Sequence, residues 1–167
     1  SRLLDCFPGY FGKFISLHFA PYLNERVATD EQQDAFETII DFLDGVNIVI
    51  PDDLKEYLDD AAKTIDLVDV SKKAAASVAA AIQDPEQYLK DNREMFERYK
   101  EVKASDAYKN TPGYRLQELF AQLNRENGYN DVFIPAMRRL SSSYREYYEK
   151  LLKANEVFLK SYRGVRF

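Results

Sequence analysis

The chain has 167 residues, 46% of them hydrophobic and 31% charged, with a formal net charge of −5. That composition suits a single folded domain, 1–167, long enough to bury roughly 70% of its unfolded surface, and it excludes a low-complexity or disordered chain. The richest apolar stretch, Phe14 to Leu23, falls well short of the roughly 18 to 20 residues of a membrane span and includes Pro21, while the lone Cys6 rules out an internal disulfide, thiolate metal clusters and iron–sulfur centres.

Phe7-Pro8-Gly9 is expected to turn, after which Tyr10 to Val27 has apolar residues nearly all round and predicts the most buried helix, kinked or divided at Pro21. Thr29 or Asp30 caps a second helix to about Asp44, with Phe36, Ile39, Ile40 and Leu43 on one face and Gly45 as its stop. Val46 to Ile50 has strand-like residues but no evident partner, so it is expected as an extended buried connector ending at Pro51. A third helix is predicted from Asp52 to about Val68 on the stripe Leu54, Leu58, Ala61, Ile65 and Val68. Ser71 then caps an alanine-rich helix, Lys72 to Ile82, whose small side chains suit close helix approach.

Asp84-Pro85-Glu86-Gln87 combines a capping acid, a proline at the first helical position and a glutamine three residues after the cap. The helix it starts is expected to run to about Lys109 through Tyr88, Met95, Tyr99 and Val102. Thr111-Pro112 repeats the signal for a helix with the stripe Leu116, Leu119, Phe120 and Leu123, closed by Asn127-Gly128. From about Asp131 to Tyr162 an apolar residue recurs every third or fourth position: Phe133, Met137, Leu140, Tyr144, Tyr147, Leu151, Ala154, Phe158 and Tyr162. That period predicts a long amphipathic C-terminal helix, bent near Pro135 and stopped by Gly164. Glu146–Lys150, Glu149–Lys153 and Glu156–Lys160 are i, i+4 pairs in the favourable order, worth about 0.2–0.5 kcal/mol each. Short connections between successive helices make the expected fold all-α, a single-domain up-and-down bundle of about five to seven helices.

Charge is unevenly spread. Residues 30–69 carry thirteen acids and two bases, a net −11, whereas residues 138–167 carry eight bases and three acids, a net +5. Such a separation either steers a charged partner or lets the basic last helix lie beside the acidic ones.

Catalytic sets fail on the single histidine, His18, which stands in the most apolar helix. It is not accompanied by the partners that a nucleophilic triad, a zinc site or a non-haem iron site requires. The spacing Asp52-Asp53-Leu54-Lys55-Glu56 is similar to the aspartate-rich motif with which terpene synthases hold Mg²⁺. The similarity is confined to those five residues, no second metal motif appears around Asn130-Asp131, and acids in a first helical turn are stabilised by the helix dipole without any ion. The six glycines are scattered and form no phosphate loop. Three lysines of the last helix are already matched by glutamates and the overall charge is negative, so nucleic acid is not an expected partner.

With no catalytic inventory, metal or cofactor expected, the chain is read as a non-enzymatic helical module that binds another protein, of the effector, immunity or adaptor type. The alternative is a sensor or carrier with a small apolar ligand in a cavity between the first and last helices, anchored by His18. Candidate binding residues are His18, the acids Asp59 and Asp60, Lys153 and Lys160, and Tyr148 and Tyr162 at the margin of the last helix's stripe. No signal-peptide pattern opens the chain, and its cysteine usage is compatible with a reducing cytoplasm and with an extracytoplasmic location alike.

Overall fold

The computed structural model describes residues 17–24, 26–46 and 49–162. The expected Phe7-Pro8-Gly9 turn, the start of the first helix and the Gly164 stop lie outside the described residues, as do the central residues of the Val46–Ile50 connector. The fold is all-α, with no strand among the described residues.

Residues 17–23 are helical and are designated α1. Helix α2 spans Asp30–Gly45 and opens with a capping box: Thr29 Oγ1 accepts from Gln32 N at 3.1 Å and Gln32 Oε1 accepts from Thr29 N at 3.1 Å. The same glutamine donates from Nε2 to the carbonyl of Leu140 at 3.2 Å, 108 residues along the chain. Helix α3, Asp52–Thr64, is shorter than the sequence predicts. Ile65 turns extended, and Asp66 accepts from the amides of Val68 and Asp69 at 3.0 and 3.1 Å, which starts α4 at Leu67 and runs it to Gln83. The cap is therefore Asp66, and Ser71 lies inside the helix that it was expected to open.

The long helix expected after Asp84 is also divided. Helix α5 covers Pro85–Asp91, Asn92 leaves helical geometry while its side-chain amide bonds to the Tyr88 carbonyl at 2.9 Å, and α6 covers Arg93–Ala104. That break resets the phase of the stripe. Phe96 turns inward at 1% exposure, and Met95, Tyr99 and Val102, expected in the core, stand 48%, 38% and 47% exposed. A 3₁₀ turn, Asp106–Asn110, leads to α7, Pro112–Asn127, which ends at Gly128 as expected. Gly128 has φ +73°, the left-handed backbone that favours glycine, and a Cβ there would press the Val132 side chain at 3.1 Å. The side chains of Phe120 and Leu123 lie outside the described residues.

A π-helical turn, Tyr129–Phe133, feeds α8, Ile134–Leu140, and after Ser141 the chain continues as α9, Ser142–Ser161. The interruption of the C-terminal stripe thus falls at Ser141 and not at Pro135, which sits harmlessly in the first turn of α8. Ser141 is extended, fully buried, and caps α9 by accepting from Tyr144 N at 3.0 Å. Across the break Glu149 lies 3.8 Å from Arg138 rather than closing on Lys153.

Two apolar cores result, and α9 serves both. In the first, α2 packs on α8 and the π turn, joining Phe19, Ile39, Phe42, Phe133, Met137, Leu140 and Tyr144. In the second, α9 meets α4 and α5, joining Ala81, Tyr88, Phe96, Ala154, Phe158 and Tyr162. Rings meet in both: Phe19 meets Phe133 edge-on at 5.1 Å, and Phe96 stacks on Tyr162 at 5.4 Å.

Candidate functional site

Residues of α1, α4 and α9 line a half-open cleft of about 990 Å³. From α4 come Ser71, Ala74, Ala75, Val78, Ala79, Ile82 and Gln83, the repeating three-then-one spacing of a single helical face. Three of these seven are alanines, so the backbone of α4 forms the floor along the middle of the face, and the longer side chains Ile82 and Gln83 stand at its C-terminal end. From α1 come Leu17, His18, Pro21 and Tyr22, and from α9 come Ser143, Glu146, Tyr147 and Lys150. The sequence thus sets a flat aliphatic wall opposite one furnished with rings.

The ring wall is braced from behind. Tyr22 lies 6.0 Å from Tyr147 and 5.1 Å from the buried Tyr144, while His18 meets Phe19 at 4.7 Å and Tyr147 at 6.0 Å, both edge-on. His18 keeps an exposed edge, which borders the cleft, yet the surrounding protein desolvates its ring and holds its pKa below the ordinary value of 6.5. The imidazole is therefore neutral at pH 7, offering one donor and one acceptor. Burial raises the phenols of Tyr22 and Tyr147, and it raises those of Tyr129 and Tyr144 much further, their neighbouring tyrosines adding to the effect. These tyrosines act as neutral rings. Ser71 is unusual among the described residues, because its hydroxyl oxygen is buried without a hydrogen-bond partner, a state that costs about 1–3 kcal/mol.

Of the candidate residues named from sequence, the structure brings only His18 to this cleft. Asp59 is half-buried, and Asp60 is exposed and paired with Lys63 at 3.3 Å. Lys153 and Lys160 are exposed on α9, outside the cleft walls. Tyr148 packs at the margin of the first core with the Arg138 guanidinium 5.1 Å from its ring centre. Tyr162 is buried in the second core at 8% exposure and donates its hydroxyl to Glu97 at 2.9 Å, which takes it off the surface. Sequence reasoning missed Ser71, Tyr22 and Tyr147 as wall residues. The alanine spacing in α4 was the available signal, but it equally describes a helix in close contact.

The Asp52-Asp53-Glu56 spacing gathers no ion-holding set. Asp53 is engaged by a bidentate Arg115, at 2.7 and 2.9 Å, and that guanidinium holds its carboxyl at about 2. Among the described residues no group of three or more His, Cys, Asp or Glu side chains is placed to hold a metal, and no helix is long and apolar enough to cross a membrane. Comparison with protein-family models, curated proteins and solved structures returns no match.

Proposed function

We propose that this protein is a non-enzymatic carrier or sensor that holds a small, largely apolar ligand in the cleft between α1, α4 and α9. The single observation that carries the reading is a cleft of about 990 Å³ with an alanine-rich wall, a tyrosine and histidine wall, and a mainly apolar surface. Ligand sites are commonly concave, mainly apolar and equipped with a small number of placed polar atoms. The same reading takes the chain as one up-and-down bundle domain, because α9 contributes to both cores.

Titration with the uncharged dye Nile red tests it. Its fluorescence should rise and shift to the blue on binding, and Ala75→Phe, which fills the cleft from its flat wall, should weaken binding at least about tenfold with the helical circular dichroism retained. No rise with the native chain, or a rise indifferent to Ala75→Phe, removes the carrier reading.

A second reading, a protein-binding module, is favoured by the exposed stripe Met95, Tyr99 and Val102 on α6. It expects a stable complex in native mass measurements of the purified protein with its partner, weakened by Tyr99→Ala. Charge reversal at Asp59 and Asp60, or at Lys153 and Lys160, tests whether steering by the separated charges contributes.

A further inference from the structure

The cleft walls also specify the kind of ligand, an inference that rests on the carrier reading. Along α4 the wall runs from Ser71 to Ile82 on one face, which at 1.5 Å per residue is about 16 Å. The space is therefore elongated, and the alanines leave it unobstructed along that length. Among the described residues on its walls two carry full charge, Glu146 and Lys150. They have opposite sign and stand one turn apart on α9, so a charged head group that gained from one would be opposed by the other. The remaining polar functions are uncharged: the His18 imidazole, the phenols of Tyr22 and Tyr147, the side-chain amide of Gln83, and the hydroxyls of Ser143 and Ser71, the last unpartnered.

We propose that the ligand is an elongated, uncharged amphiphile: an alkyl chain lying along the alanine face of α4, with a hydroxyl head group that hydrogen-bonds the imidazole of His18. An alcohol suits a neutral imidazole because each partner both donates and accepts. A carboxylate or an ammonium would have to surrender its hydration in a cleft that offers no net compensating charge.

The experiment compares 1-dodecanol, dodecanoate and dodecylammonium, each below its aggregation limit at pH 7.5, as competitors of bound Nile red on the full chain. Dodecanol should bind at least about tenfold more tightly than either ion, and His18→Phe, which keeps a ring but removes the hydrogen bond, should weaken dodecanol about fivefold, the range of one net hydrogen bond. Either ion competing as well as dodecanol overturns the proposal, as does a folded His18→Phe protein that binds dodecanol unchanged. Should that variant not fold, the order of the three chains on the unaltered protein decides alone. If Nile red binds and is lost in Ala75→Phe but none of the three chains displaces it, the ligand class is wrong and the cleft stands; if Nile red does not bind, the carrier reading itself falls.

Discussion

Helices α4 and α9 face each other twice, and the two encounters differ. At one, Ala81 and Ala154 are buried at 1% and 0% among Tyr88, Phe96, Phe158 and Tyr162, and the space between the helices is filled by rings. At the other, Ala74 and Ala75 look across to Tyr147 over a cleft, with α1 closing one side. The same residue type serves both ends, so alanine does not by itself dictate close contact. What decides is the supply of large side chains from a third element: α5 and α6 deliver Tyr88 and Phe96 to the filled end, whereas at the open end Phe19 and Tyr144 of α1 and α9 are committed to the other core.

The contrast is sharpened first by truncation. Phe158→Ala removes a fully buried ring and should cost about 3–5 kcal/mol in urea unfolding, while Tyr147→Ala, at the cleft, should cost about 1 kcal/mol. Equal losses would mean that the two ends are packed alike. Enlargement is the converse test. Ala81→Leu should destabilise by about 1–3 kcal/mol through overpacking, and Ala75→Leu should lie within about 0.5 kcal/mol of the parent. A cost at Ala75 matching that at Ala81 would break the comparison.

Between pH 8 and 5, acidity separates the open end from the filled one. His18 has a lowered pKa, so the stability tied to its neutral form is complete above the ordinary histidine value of 6.5 and drains away as pH falls below it. Urea midpoints measured from pH 8 down to 5 should decline, and His18→Phe should flatten that decline while Phe158→Ala leaves its slope unchanged. The smallest effect belongs to neither end. Because Arg115 depresses Asp53 from 3.8 to about 2, its contribution is present above the upper value and is lost as pH drops through the lower. Asp53→Asn should remove that segment of the acid-unfolding profile and leave the response between pH 8 and 5 intact.

Periodicity made the helices legible, and caps made their starts so where the chemistry was compact: Asp84 with Pro85 and Thr111 with Pro112 cap as expected, and of the two candidates Thr29 and Asp30 it is Thr29 that caps. Interruptions inside a sustained stripe were harder to see. Pro135 drew attention that belonged to Ser141, because a proline in the first turn of a helix costs nothing, whereas a serine that bonds its neighbour's amide ends one helix and begins another. Asn92 divides α5 from α6 by another bond, donating its side-chain amide to the Tyr88 carbonyl, and Met95, Tyr99 and Val102 beyond it stand exposed. The cleft has His18 on its wall beside residues of α9. Its third wall was not legible, since the fate of an alanine face depends on which rings reach it from elsewhere in the chain.

Gln32 gives the architecture a shared latch. Its carbonyl closes the start of α2 and its amide nitrogen holds the last carbonyl of α8, so a single side chain terminates two helices more than a hundred residues apart. Fraying at either terminus releases the other, and backbone protons around Thr29 and around Ser141 should accordingly trade with deuterium as one cooperative unit.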